Sequence, residues 1–151
     1  MSDLRALYEE VILDHNRNPR NYLKKPENTN RSAHGFNPLC GDEFHIHIYV
    51  EDGVIKDIGF EGVGCAISTA SASLMTEALK GKTEAEAAAL FGDVHDMLTS
   101  GAGLDEAMER LGKLSILAGV KDFPMRVKCA ILAWHTLQAA LKNEEETVST
   151  E

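Results

Sequence analysis

Residues 44–60 read Phe44-His45-Ile46-His47-Ile48-Tyr49-Val50-Glu51-Asp52-Gly53-Val54-Ile55-Lys56-Asp57-Ile58-Gly59-Phe60, and this stretch decides the fold. Phe44, Ile46, Ile48 and Val50 alternate with His45, His47 and Tyr49, the period of two that a half-buried strand uses. Asp52-Gly53 is the strongest short hairpin signal. Val54 to Phe60 is the return strand. Gly59, Gly62 and Gly64 then loosen the chain before Cys65, with room for a third short strand.

Helical patterns flank this hairpin. Upstream, Leu4, Leu7, Tyr8, Val11 and Ile12 share one face of a helix over residues 3–15, and Pro19 stops it. Residues 16–42 are rich in Asn, Pro, Lys and Arg and show no period, which predicts a long connection of the kind that often carries function. Downstream, residues 68–80 form a helix dense in small side chains (Ala70, Ser71, Ala72, Ser73), suited to close packing. Thr83 and Glu86 make a capping box for a helix to about residue 98. Gly101-Ala102-Gly103 breaks the chain. Leu104, Ala107, Met108, Leu111 and Leu114 predict another amphipathic helix, ended near Gly119. The last helix has Asp122 as its candidate N-cap and Pro124 in its first turn, with Ala130, Trp134, Leu137 and Leu141 as its core stripe.

The bulk composition bounds the function. The 151 residues suffice for one domain and one core, with 44% hydrophobic residues. We expect a single domain over 1–143 and a flexible acidic tail over 144–151. A net charge of −9 disfavours non-specific nucleic-acid binding, which needs a basic surface. No apolar run has the ~18 residues of a membrane span, and the N-terminus shows no signal-peptide pattern. Three cysteines, an odd number, argue against a disulfide framework and for a reducing, cytoplasmic setting.

Each cysteine stands where the backbone changes direction. Cys40 lies in Asn37-Pro38-Leu39-Cys40-Gly41-Asp42, a turn that opens a strand. Cys65 lies in Gly62-Val63-Gly64-Cys65-Ala66, the exit from a strand into a helix. Cys129 follows Arg126-Val127-Lys128 in the first turns of the last helix. Spacings of 25 and 64 residues lack the tight Cys-x₂-Cys pairs of closed zinc sites. The residues leave two readings open: small buried hydrophobes, or three thiolates that converge with Asp42 into a four-ligand metal site. In the second reading Zn²⁺ leaves a net charge of −2, and Arg126, one helical turn before Cys129, is the cation at hand. Among the histidines, His45 and His47 share a strand face and can chelate, but more often form a polar face. His15 and His34 lie in or near the long connection, and His95 and His135 sit beside core positions on helices. None is assigned to the metal.

These segments carry a resemblance. Asn37-Pro38-Leu39-Cys40-Gly41-Asp42, Gly62-Val63-Gly64-Cys65-Ala66-Ile67-Ser68 with the Ala-Ser-rich helix after it, and Arg126-Val127-Lys128-Cys129 resemble the SufU/IscU family of iron–sulfur cluster assembly proteins. Asp14-His15 and Pro19-Arg20-Asn21 are similar too, so the likeness spans nearly the whole chain. IscU-type members carry a histidine before the third cysteine, where this chain has Lys128. They carry a Leu-Pro-Pro-Val-Lys motif where it reads Asp122-Phe123-Pro124-Met125-Arg126. The long stretch between Cys65 and Cys129 also resembles the SufU type. The resemblance implies an α+β, SufE/NifU-like fold: a small antiparallel sheet packed by about five helices. It implies zinc held by Cys40, Asp42, Cys65 and Cys129. It implies that Cys40 accepts persulfide sulfur from a SufS-like cysteine desulfurase and passes it to downstream iron–sulfur assembly proteins. The alternatives are a scaffold that holds iron or a transient [2Fe–2S] cluster on the same residues, and a module whose zinc is purely structural.

Overall fold

The computed structural model describes residues 2–38, 41–99, 111–120, 123–142 and 148–149. In chain order these form helix α1 (Ser2–Arg17), strands β1 (Arg31–Asn37), β2 (Asp42–Glu51) and β3 (Val54–Val63), then helices α2 (Ala66–Leu79) and α3 (Glu84–Thr99). A 3₁₀ segment (Gly112–Val120), helix α4 (Pro124–Leu141) and a two-residue strand β4 (Val148–Ser149) follow. The sheet order is β3-β2-β1-β4. β1, β2 and β3 form an antiparallel meander, and β4 runs parallel to β1 beside Gly35 and Phe36. The small antiparallel sheet is the one the resemblance implies, but its third strand is β1: the short strand expected before Cys65 is instead the end of β3, which continues to Val63. Of the expected acidic tail, only β4 lies within the described residues.

The hairpin forms where the sequence places it. Asp52 and Gly53 both have positive φ, 55° and 75°, the pair that a two-residue turn matched to the strand twist requires. The alternation is obeyed: Phe44, Ile46 and Ile48 are fully buried. They lie under α4, whose Trp134 and Leu137 are also fully buried. The helices thus cover one face of the sheet, and the face bearing Glu43, His45 and Tyr49 is left outward.

The long connection is shorter than the sequence suggests, because residues 31–37 are β1. Its inward positions are Ala33, Gly35 and Asn37, so no row of large apolar residues announces it. Gly35 is there because β1 meets α4 closely: a Cβ at this position would lie 1.9 Å from Thr136 Oγ1. Residues 21–23 run along β3, with Leu23 N–H donating to Phe60 C=O at 2.8 Å and Phe60 N–H to Asn21 C=O at 3.0 Å. This covers the sheet edge that would otherwise be open.

The helical reading holds in α2, α3 and α4. Thr83 and Glu86 form the reciprocal capping box, at 3.0 and 3.1 Å. In α2, Ala70, Ser71, Ala72 and Ser73 are all buried. Ser73 Oγ accepts from the Arg20 N–H at 2.8 Å and bonds His15 Nδ1 at 2.7 Å, which pins α1 to α2. Ser71 donates to the Ala130 carbonyl at 2.5 Å, which pins α2 to α4. Residues 100–110, which include the Gly101-Ala102-Gly103 break and the predicted fourth helix up to residue 110, lie outside the described residues. Leu111 is helical, but Gly112 takes φ 55°, the left-handed step that ends an α-helix. The chain then continues as 3₁₀ rather than as α-helix to Gly119. Asp122 also lies outside the described residues. Phe123 holds the N-cap position of α4 without a side-chain bond, and Pro124 follows at the helix start.

Candidate metal centre

The end of β1, the start of β2, the start of α2 and the first turns of α4 meet at one end of the sheet. Asp42 opens β2 and is buried. Cys65 is the N-cap of α2, its Sγ accepting the Ser68 N–H at 3.4 Å. Cys129 lies in the second turn of α4 and is buried. A carboxylate oxygen of Asp42 and the two sulfurs all lie within 4.8 Å of one another. The structure therefore brings together three of the four residues expected as ligands.

Leu39 and Cys40, the fourth, lie outside the described residues, but their flanks are fixed. Asn37 pairs with Asp42 across the strands, and Gly41 N–H donates to Asn37 C=O at 2.8 Å.

Asp42 is held from both sides. Its Oδ1 accepts the Cys65 N–H at 2.9 Å. Its Oδ2 accepts the buried Ser68 hydroxyl and stands 3.8 Å from Cys65 Sγ. Both the carboxylate and the Cys65 sulfur face the N-terminus of α2, where unpaired N–H groups favour negative charge. The sequence reading missed Ser68 as part of this centre. Its signal is the spacing Cys65-x-x-Ser68, which places a donor over the N-cap.

Arg126, one helical turn before Cys129 on α4, is exposed, its guanidinium 5.3 Å from the centroid of the Phe123 ring. Tyr8, read from the sequence only as part of an apolar face, also reaches this neighbourhood. Burial raises its hydroxyl pKa, Arg126 opposes the rise, and negative charge on Cys65 adds to it. The Tyr8 ring lies against Gly119, where a Cβ would stand 2.7 Å from the ring. The histidines stand apart. His15 is buried against Ser73, and His95 and His135 flank Phe91 at 6.0 and 5.2 Å between ring centroids. His34 belongs to β1 and lies opposite His45.

The donor set fits zinc. Tetrahedral zinc bonds of about 2.3 Å to sulfur and 2.0 Å to oxygen put the two donors about 3.5 Å apart, close to the 3.8 Å between Cys65 Sγ and Asp42 Oδ2.

The chain belongs to the family of the NifU-like N terminal domain, which it matches over residues 7–148. It is 39% identical over 144 residues to the zinc-dependent sulfurtransferase SufU of Bacillus subtilis (strain 168), covering 95% of each chain. It is 41% identical over 138 residues to the iron–sulfur cluster assembly scaffold protein IscU of Thermotoga maritima, covering 91% of this chain and 94% of that one. Its fold matches the crystal structure of a candidate iron–sulfur cluster assembly scaffold protein for the SUF system from Fervidobacterium islandicum AW-1. That match has a TM-score of 0.81 and 38% identity, over 90% of this chain and 97% of the other.

Proposed function

We propose that this protein accepts sulfur for iron–sulfur cluster assembly at a zinc centre made by Cys40, Asp42, Cys65 and Cys129, with a cysteine desulfurase as donor. The observation that carries the proposal is the convergence of Asp42, Cys65 and Cys129 within 4.8 Å, beside the turn that bears Cys40. Bound zinc keeps the ligating thiols deprotonated at neutral pH. Asp42 is held in place by Cys65 N–H and Ser68, so it would serve as a fixed ligand. Cys129 is anchored in α4 and Cys65 at the start of α2, both on rigid helices. Cys40 falls in the sequence between the end of β1 at Asn37 and the start of β2 at Asp42, a position that would suit the ligand that exchanges.

The Cys40 thiolate attacks the terminal sulfur of the donor's persulfide. A new sulfur–sulfur bond forms on Cys40 as the bond to the donor cysteine breaks, and that cysteine departs as a thiolate. No net oxidation takes place. Arg126, one helical turn before Cys129, supplies positive charge that offsets the charge of the approaching anion. Exposed Val63, Phe123 and Met125 offer an apolar surface at the ends of the same elements, where a protein donor can dock.

The experiment is desulfurase turnover with cysteine in the presence of the protein and of Cys40→Ala. The variant is expected to fold and to give no stimulation. Full stimulation by the variant moves the acceptor to Cys65 or Cys129. A second reading, cluster scaffolding on the same residues, is favoured by the equally close IscU relative of Thermotoga maritima. Protein isolated without air separates the two: colourless protein with zinc supports sulfur acceptance, and brown protein with iron supports the scaffold.

A further inference from the structure

On the outward face of the sheet, His34, Glu43 and His45 bring three more donor atoms within 4.8 Å of one another. Strand alternation produces this cluster. Asp42 and Glu43 are consecutive, so Asp42 points into the thiolate centre and Glu43 to the opposite face. His45 follows on Glu43's side. His34 on β1 is the direct register partner of His45, and Glu43 sits diagonally from it, opposite Phe36.

The two imidazoles are stacked, with centroids 4.3 Å apart and planes at 15°. Both rings turn Nε2 toward the same carboxylate oxygen: Glu43 Oε1 lies 2.9 Å from His34 Nε2 and 3.9 Å from His45 Nε2. Phe36, two residues along β1, stacks beside His34, with centroids 6.2 Å apart. His47 stacks beside His45 at 6.4 Å and is itself held by Ser32 at 3.0 Å and Glu61 at 3.2 Å. The pair of rings is therefore braced along the strand direction and across it. The backbone beneath is the paired centre of a sheet rather than a loop, which favours a preorganised site.

We propose that His34, Glu43 and His45 form a second metal site, for a divalent first-row transition ion. Two imidazoles and one carboxylate are the donor set of open zinc centres, which keep a fourth position for water or another ligand. The cluster shares no residue with the thiolate centre and lies across the sheet from it, one peptide bond away at Asp42–Glu43. Its donors are nitrogen and oxygen, so it holds zinc and other first-row divalent ions through imidazole and carboxylate rather than through thiolate softness. The chain's net charge of −9 favours cation binding in general.

Calorimetric titration with Zn²⁺ tests this on the full-length protein, compared with His34→Ala, His45→Ala and Glu43→Gln. All three side chains are partly exposed, so the variants are expected to keep the wild-type circular dichroism and melting temperature. Wild type should bind one equivalent more than each histidine variant, whatever the occupancy of the thiolate centre. Glu43→Gln should bind that equivalent more than about tenfold more weakly, since even groups that only orient a ligand cost that much. On wild type alone, the ring protons of His34 and His45 should shift together with added Zn²⁺. Equal stoichiometry and affinity in all four proteins, or ring signals that do not move, would overturn the site.

Discussion

Cys65 and Asp42 meet twice: the Cys65 N–H donates to Asp42 Oδ1 at 2.9 Å, and the Cys65 sulfur stands 3.8 Å from Asp42 Oδ2. One contact is backbone and the other is between the side chains. The first residue of β2 and the N-cap of α2 are thereby locked in one geometry. A carboxylate so fixed is the one proposed ligand that cannot carry sulfur, which leaves the exchange step to a thiolate.

Ser68 should tune the centre without touching the metal. Its hydroxyl donates to Asp42 Oδ2 and its N–H to Cys65 Sγ. Ser68→Ala keeps the N–H and removes the hydroxyl. Zinc affinity, measured by competition with a chromogenic chelator, should fall about 10–100-fold, with the helical content unchanged. An unaltered affinity would remove Ser68 from the centre.

The approach of β1 to α4 should be intolerant of a methyl group. Gly35→Ala places a Cβ against Thr136 Oγ1 and Leu132, and overpacking of this kind costs about 1–3 kcal/mol. Thr136→Ala added to Gly35→Ala should restore part of that loss, because the two sites are coupled. Urea denaturation of the single and double variants measures it. Strictly additive losses would show that the clash is relieved elsewhere.

His15 should make the fold acid-sensitive. Burial, helped by the charges of Lys113 and Arg20, lowers its pKa from 6.5 to about 4. Between those values the unfolded chain binds the proton and the folded one does not, so stability rises with pH across that window. The contribution is complete above pH 6.5 and is lost as pH falls toward 4, a total of roughly 3 kcal/mol. His15→Gln removes the titrating group. The stability difference between wild type and variant should therefore change by about that amount between pH 7 and pH 4. A difference independent of pH would contradict the assignment.

Much of this was legible in the chain. The hairpin could be read because Asp52-Gly53 is a turn signal and the strands around it bury one face only. The capping box at Thr83 and Glu86 could be read because both partners are local. The convergence at Asp42, Cys65 and Cys129 could not be derived from spacing, since it depends on how α2 and α4 dock through Ser71 and Ala130. Only the resemblance supplied it. β1 was hidden because its inward residues are small or polar, fitted to α4 rather than to a generic core. The pairing of His34 with His45 was hidden for the same reason: without β1 there is no register to place them opposite each other.

The chelation of zinc should also stabilise the fold. A metal bound only by the folded state raises its melting temperature by mass action. Here the proposed ligands belong to the β1–β2 turn, the start of α2 and the first turns of α4. Removal of zinc with a strong chelator should lower the melting temperature, and restored zinc should return it. No change would place the metal outside this junction.

The central claim is that one zinc sits among Cys40, Asp42, Cys65 and Cys129. Zinc-edge X-ray absorption of the His45→Ala protein, whose sheet-face site stays empty, tests it most directly when the protein is isolated without air. About three sulfur neighbours near 2.3 Å and one oxygen near 2.0 Å per zinc are expected, with one sulfur fewer in Cys40→Ala. A shell dominated by nitrogen and oxygen, or bound iron with iron–iron scattering in place of zinc, would contradict it.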